Sequence, residues 1–194
     1  MTHFVAMDVE TNGLSPKKGA LIIEIALVGI DSGGGKEWAW HSLVNPQGND
    51  VGKTTIHGIT SDDVRHAPTF DQIAGRVQQL LTNRVIIAHN QDFDMSFLEA
   101  EFERIGVTTG FAAACTMQSA RSAGIYPTKL SDVADHYDLT NTGAHQAIHD
   151  AMLVADIWAT FLGSMDAASE RALAAASHDP MSAVPVQVVD GFHR

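Results

Sequence analysis

The chain has little that would let it work outside a reducing compartment or inside a membrane. A single cysteine, Cys115, has no partner for an internal disulfide or a sulfur-ligated metal, so it is expected as buried packing in a reducing compartment. Apolar runs are short: Ala20 to Ile30 is broken by Glu24 and falls well below the ~18 residues of a membrane span. The first residues carry neither a basic nor an apolar leader segment, which leads us to expect a cytoplasmic protein. Positive charge is also scarce. Twelve Lys and Arg against 23 Asp and Glu leave a formal net charge of −11, which argues against coating duplex nucleic acid through its phosphates. That balance still allows contact with a few phosphates through bound divalent cations, which would also offset the protein's own carboxylates.

What is present is an ordinary globular composition, with 45% hydrophobic and 18% charged residues in 194. This length suits one domain that buries roughly 70% of the unfolded chain's surface. Residues 3 to 9 and 20 to 31 are Val-, Ile- and Leu-rich and bounded by turn residues, so both are expected as strands. Lys36 to Val44 alternates Trp38, Trp40 and Ser42 after a glycine turn, which predicts a third strand in a hairpin, with the tryptophans packed on the sheet face. Phe70 to Leu81 and Phe93 to Ile105 have helical apolar spacing, with a short strand at Arg84 to Ala88 between them. A weaker strand at Ala112 to Cys115, helical pieces at Met117 to Ala123 and Leu130 to Tyr137, and a long helix from about Gln146 to Leu162 complete the pattern. Three strands followed by alternating helices and strands predict an α/β fold, a mixed five-stranded sheet flanked by helices. Residues 1–163 are expected to form one domain. Residues 164–194 then make an extension, helical in its alanine-rich part through Ser177 and flexible from Pro180 onward.

Three polar boxes interrupt this apolar framework. In Asp8-Val9-Glu10-Thr11, at the end of the first strand, alternation points Asp8 and Glu10 to one side, and two such close carboxylates suit hard cations such as Mg²⁺ or Mn²⁺. Taken alone, an acidic strand end turning into Asn12-Gly13 is the commoner meaning. His89-Asn90-Gln91-Asp92-Phe93-Asp94 follows a buried strand and opens a helix, with Asp94 the third candidate carboxylate; Asn90 and Asp92 can equally serve the helix terminus. The third box is His145-Gln146-Ala147-Ile148-His149-Asp150. On one regular helix His145 and Asp150 would lie about 140° apart, so His145 is expected on the loop or first turn and Asp150 inside the helix. His149 is expected to be a packing or exposed histidine without a chemical role.

In order and context these boxes resemble the D-x-E, H-N-x-x-F-D and H-x-A-x-x-D motifs of the DnaQ-like DEDDh exonucleases, across roughly residues 4 to 162. The sister class with tyrosine is disfavoured because Gln146 stands at its position. The resemblance implies an RNase H-like fold and two divalent metal ions, Mg²⁺ or Mn²⁺, on Asp8, Glu10, Asp94 and Asp150. It also implies His145 as general base and stepwise release of nucleoside 5′-monophosphates from a 3′ end. Thr11, Gly13, Leu14, Ile56, His57, Asn90 and Phe93 would meet the terminal nucleotides, although Leu14 and Phe93 can instead pack on the core. A single-stranded DNA end is the favoured substrate, with RNA or short oligoribonucleotides as the alternative. A third possibility is a binding subunit partnered by a DNA polymerase or a sliding clamp. For that, Gln187 to Phe192 offers a clamp-peptide outline in which Asp190 replaces the expected apolar anchor.

Overall fold

The computed structural model describes residues 4–140, 143 and 146–164. His145, the alanine-rich run beyond residue 164 and the clamp-like segment 187–192 lie outside the described residues. Strands β1 (Phe4–Thr11), β2 (Ile22–Ile30) and β3 (Lys36–Leu43) form an antiparallel meander, and β4 (Val85–Ala88) and β5 (Ala113–Cys115) add in parallel beyond β1. The result is a five-stranded mixed sheet in the order β3-β2-β1-β4-β5. Helices are α1 (Thr54–His57), α2 (Ser61–Val64), α3 (Phe70–Leu81), α4 (Gln91–Arg104), α5 (Thr116–Ser122), α6 (Leu130–His136) and α7 (Ala147–Leu162). The two four-residue helices are too short to show apolar periodicity. Only the Thr60-to-Asp63 capping box betrays α2 in the sequence, with the Thr60 hydroxyl and amide both bonded to the Asp63 carboxylate. Among the described residues, no helix is long and apolar enough to cross a membrane.

Alternation divides each central strand between two cores. Val5, Met7 and Val9 of β1, with Ile25 and Leu27 of β2, pack against α3 and α4 through Phe70, Val77, Phe97, Leu98 and Phe102. Trp38 and Trp40 pack on the same face, and the Trp38 ring lies so close over Gly29 that any Cβ there would collide with it at 2.2 Å. Phe4 and Ala6 of β1, with Ala26, Val28 and Ile30 of β2, face α7, where the Trp158 ring meets that of Phe4 edge-on at 5.5 Å. Fully burying aromatics of this size contributes roughly 1.5–3 kcal/mol each. Cys115 is buried and free.

This division sets the site. The row Phe4, Ala6 continues as Asp8, Glu10, so the carboxylates point toward the start of α7. β4 pairs only with Phe4 to Ala6, leaving the last part of β1 with β2 alone beside it. The notch thus opened lies at the carboxyl ends of the two parallel strands, where α/β sheets gather polar groups.

Candidate active site

Asp8, Glu10 and Asp150 each offer a carboxylate oxygen, and these oxygens all lie within 4.8 Å of one another. Asp150 occupies the first turn of α7 in the stripe otherwise made of Ala147, Ala151, Val154 and Trp158, so the packing that seats the helix aims the carboxylate at β1. Asp94, in the first turn of α4, arrives around the end of β4. It is buried, and its carboxylate accepts hydrogen bonds from its own amide and from that of Val9, past the pairing of β1 with β4.

Four acids this close cannot all be ionised at ordinary cost. Burial, reinforced by the charges of Asp94, Asp150, Glu10 and Glu24, pushes Asp8 well above the usual carboxylate range. Burial, then Glu24 and Asp150, push Glu10 from 4.5 up to about 7. Burial raises Asp94 from 3.8 to about 7, although the two amide hydrogen bonds pull the other way. Oxygen-only donors, partly buried and mutually repelling, fit hard divalent cations that would hold all four ionised.

The surrounding polar residues arrange the walls. Thr11 donates its hydroxyl to the Gly13 carbonyl at 2.8 Å, closing the turn after β1, and Leu14 beyond it is 90% exposed. Asn12 ties this turn to the loop before α1: its amide nitrogen donates to the Asp50 carbonyl at 2.8 Å and its oxygen accepts from the Leu21 amide at 2.7 Å. Gly52, with φ of +82°, sits against the Asn12 backbone, where a Cβ would come within 2.6 Å of the carbonyl oxygen. On α1, Ile56 is 53% exposed, whereas His57 is buried. His57 Nδ1 accepts from the Ile59 amide at 3.1 Å, so the neutral ring carries its proton on Nε2, which is buried without a partner among the described residues.

Asn90 occupies the N-cap position of α4 but makes no side-chain cap there, and it is exposed. Phe93 is half-buried against Phe97, with ring centroids 4.9 Å apart, so it belongs at least as much to the core as to the notch. Two features had escaped the sequence reading. His89 Nε2 donates to the Thr128 carbonyl at 2.8 Å and Nδ1 meets the Thr116 hydroxyl at 2.9 Å, and burial lowers its pKa, so a neutral His89 fastens the loop before α6 to the end of β4. Glu24 had looked like a mere interruption of an apolar strand. It is buried, shares the α7-facing row with Ala26 and Val28, and stands opposite Glu10 in register. A buried charge in an otherwise apolar run was the available signal. His149 packs its ring against Gly143, with Nδ1 buried and unbonded among the described residues.

A family model described as an exonuclease, RNase T, matches residues 5–158. Among curated proteins, the 3′-5′ exonuclease DinG of Bacillus subtilis is 32% identical over 77% of this chain and 16% of its own length. A PolC-type DNA polymerase III of Clostridium perfringens is 31% identical over 80% and 11%. The chain therefore spans about a tenth to a sixth of these relatives. The DNA polymerase III epsilon subunit of Pasteurella multocida is 27% identical over 84% of the chain and 69% of its length. Of solved structures, exonuclease X in complex with 5′-overhanging duplex DNA superimposes with a TM-score of 0.69 at 22% identity, covering 88% of this chain and 99% of that one. A 3′-exonuclease that recognises a histone mRNA stem-loop gives 0.70 at 18%, covering 95% and 93%. Both share this fold.

Proposed function

The chain belongs to the DnaQ-like exonuclease family, and from that premise we propose that it hydrolyses nucleic acid 3′→5′, releasing nucleoside 5′-monophosphates. The observation that carries the proposal is the cluster of Asp8, Glu10 and Asp150 with Asp94 beside it, an oxygen donor set whose mutual repulsion bound cations would relieve. These four residues would hold two Mg²⁺ or Mn²⁺ ions, which when bound polarise a phosphodiester and make an attacking water more acidic.

The chain's own groups supply the rest. His145 is assigned the general base, a role worth ~10²–10⁴ in rate. Its assignment is supported by the start of α7 at Ala147, with Gln146 before it extended at φ −127° and ψ 121°, so the regular helix begins only after position 145 in the sequence. Thr11 and Gly13 present the turn at the 3′ end, and Leu14 and Ile56 offer exposed apolar surface to a terminal base. The spare Nε2–H of His57 is a donor for a sugar or phosphate oxygen, and exposed Asn90 offers an amide at the mouth of the notch. Phe93, half-buried against the core, offers its accessible part as a base contact.

DNA is preferred as substrate because the relatives include DNA polymerase III chains, and the same names motivate a polymerase as partner. The test is a 5′-labelled DNA oligomer and an RNA oligomer of equal sequence, incubated with Mg²⁺, Mn²⁺ or EDTA. Stepwise 3′ shortening of DNA, metal-dependent and lost in Asp8→Ala, is expected. Faster RNA trimming would replace DNA turnover with oligoribonucleotide turnover, and cleavage undiminished in EDTA would overturn the metal reading.

A further inference from the structure

We propose that Glu24 is a positioning residue that anchors the first turn of α7 and thereby holds Asp150 against Asp8 and Glu10. The proposal rests on the reading of Asp150 as a metal ligand. Glu24 Oε2 accepts the backbone N–H of Ala147 at 3.3 Å across 123 residues of sequence, while Oε1 lies 3.5 Å from Nδ1 of His41 on the outer strand β3. The first amides of any helix lack partners within it. Here the local remedy is missing: Gln146 at the N-cap makes no side-chain cap, and Ala147 is fully buried, out of reach of water. Glu24 therefore supplies from β2 the cap that the helix lacks, and a carboxylate there also suits the positive end of the helix dipole.

The position of this bond decides what it does. Asp150 follows Ala147 by three residues, just under one turn or about 4.5 Å along the axis, and its own amide is bonded to the Gln146 carbonyl at 3.1 Å. Fixing the Ala147 amide thus fixes the turn from which Asp150 projects. A glutamate is an expensive way only to fill that space, because its charge adds to the repulsion on Asp8 and Glu10. A methionine would pack equally well without that repulsion. The acceptor is what the site needs.

Mn²⁺ binding to the full chain, followed by electron paramagnetic resonance, separates this role from simple stability, with thermal unfolding recorded alongside. Groups that orient metal ligands typically control 10–100-fold of affinity, so Glu24→Met is expected to weaken Mn²⁺ binding about tenfold or more and to lower kcat rather than raise KM. Glu24→Gln keeps an acceptor oxygen and should stay within about threefold of wild type. Ala147→Pro removes the donor at a helix position that tolerates proline, after a residue already extended, and should reproduce the Glu24→Met defect with Glu24 intact. In an Asp150→Ala background Glu24→Met should add nothing further. The proposal fails if Glu24→Met lowers only the melting temperature, if Glu24→Gln is as defective as Glu24→Met, if Ala147→Pro binds Mn²⁺ normally, or if the Glu24 and Asp150 effects add. Normal Mn²⁺ binding by Asp150→Ala alone would instead remove the ligand reading beneath it, a failure visible before any Glu24 variant is made. Should Glu24→Met not fold, the Gln and Pro variants still decide.

Discussion

Without divalent metal, the protein should become less stable as the pH rises from 5 to 8. Glu10 sits at about 7 against an ordinary 4.5, and Asp94 at about 7 against 3.8. Below those ordinary values both the folded and unfolded states hold the protons, and the groups cost nothing. As the pH rises toward 7, the unfolded chain releases protons that the folded one keeps, so relative stability is lost until the folded groups also ionise. At face value each carboxylate costs the folded state roughly 3–4 kcal/mol at high pH. Glu10 is partly exposed and the two acids titrate against each other, so a total on the order of 3 kcal/mol is the working figure. For a domain of this size that is about 6–12 °C in Tm. His89 runs the opposite way: its lowered pKa costs stability only as the pH falls through its ordinary value of 6.5. Melting curves at pH 5, 6, 7 and 8 in EDTA and in Mg²⁺ isolate the acids, because the His89 contribution cancels in the difference. The Tm gap should already be open at pH 5, widen through pH 7 and level off by pH 8, and Asp94→Asn should flatten that widening. A gap of constant size across this range, or one that narrows toward pH 8, would refute the reasoning.

Gly143→Ala places a methyl 2.1 Å from His149 Nδ1; overpacking of this kind should lower unfolding stability by about 1–3 kcal/mol, recovered in the Gly143→Ala, His149→Ala double variant. His149→Ala alone should leave rate nearly unchanged. Leu14→Ala and Ile56→Ala remove exposed apolar surface, so each should raise KM about three- to tenfold without altering Tm. Glu101 is buried and accepts from the Ile22 amide and the Arg104 guanidinium, both at 3.0 Å; Glu101→Ala should cost about 2–4 kcal/mol in urea unfolding and leave metal binding intact.

Periodicity carried most of the fold. The helix expected over Phe70 to Leu81 is observed at those bounds, and the long terminal helix starts one residue later than expected. Strand alternation told which way Asp8 and Glu10 would point, since it is a property of the backbone. What stayed hidden depends on packing between distant segments. Short β4 creates the notch, and nothing local to Val85–Ala88 says how far β1 will outrun it. Glu24 reaches α7 across most of the chain, and α1 is a single turn whose buried His57 reveals its spare donor only in three dimensions. Alternation also fails for Asp94, which joins the acids by coming around a strand end from the opposite face.

The acids come from far apart: two from the first strand, one from the start of α4 and one from the last described helix. During synthesis, when chains emerge from the amino end, residues 1–130 would already contain every strand of the sheet and three of the four acids. They would still lack a working centre. Asp150 enters only with α7, the helix that lays Val154 and Trp158 on one face of the sheet beside α5 and α6, so closing that core and completing the cluster are a single event. The acid cluster is thereby kept incomplete until its own scaffold is finished.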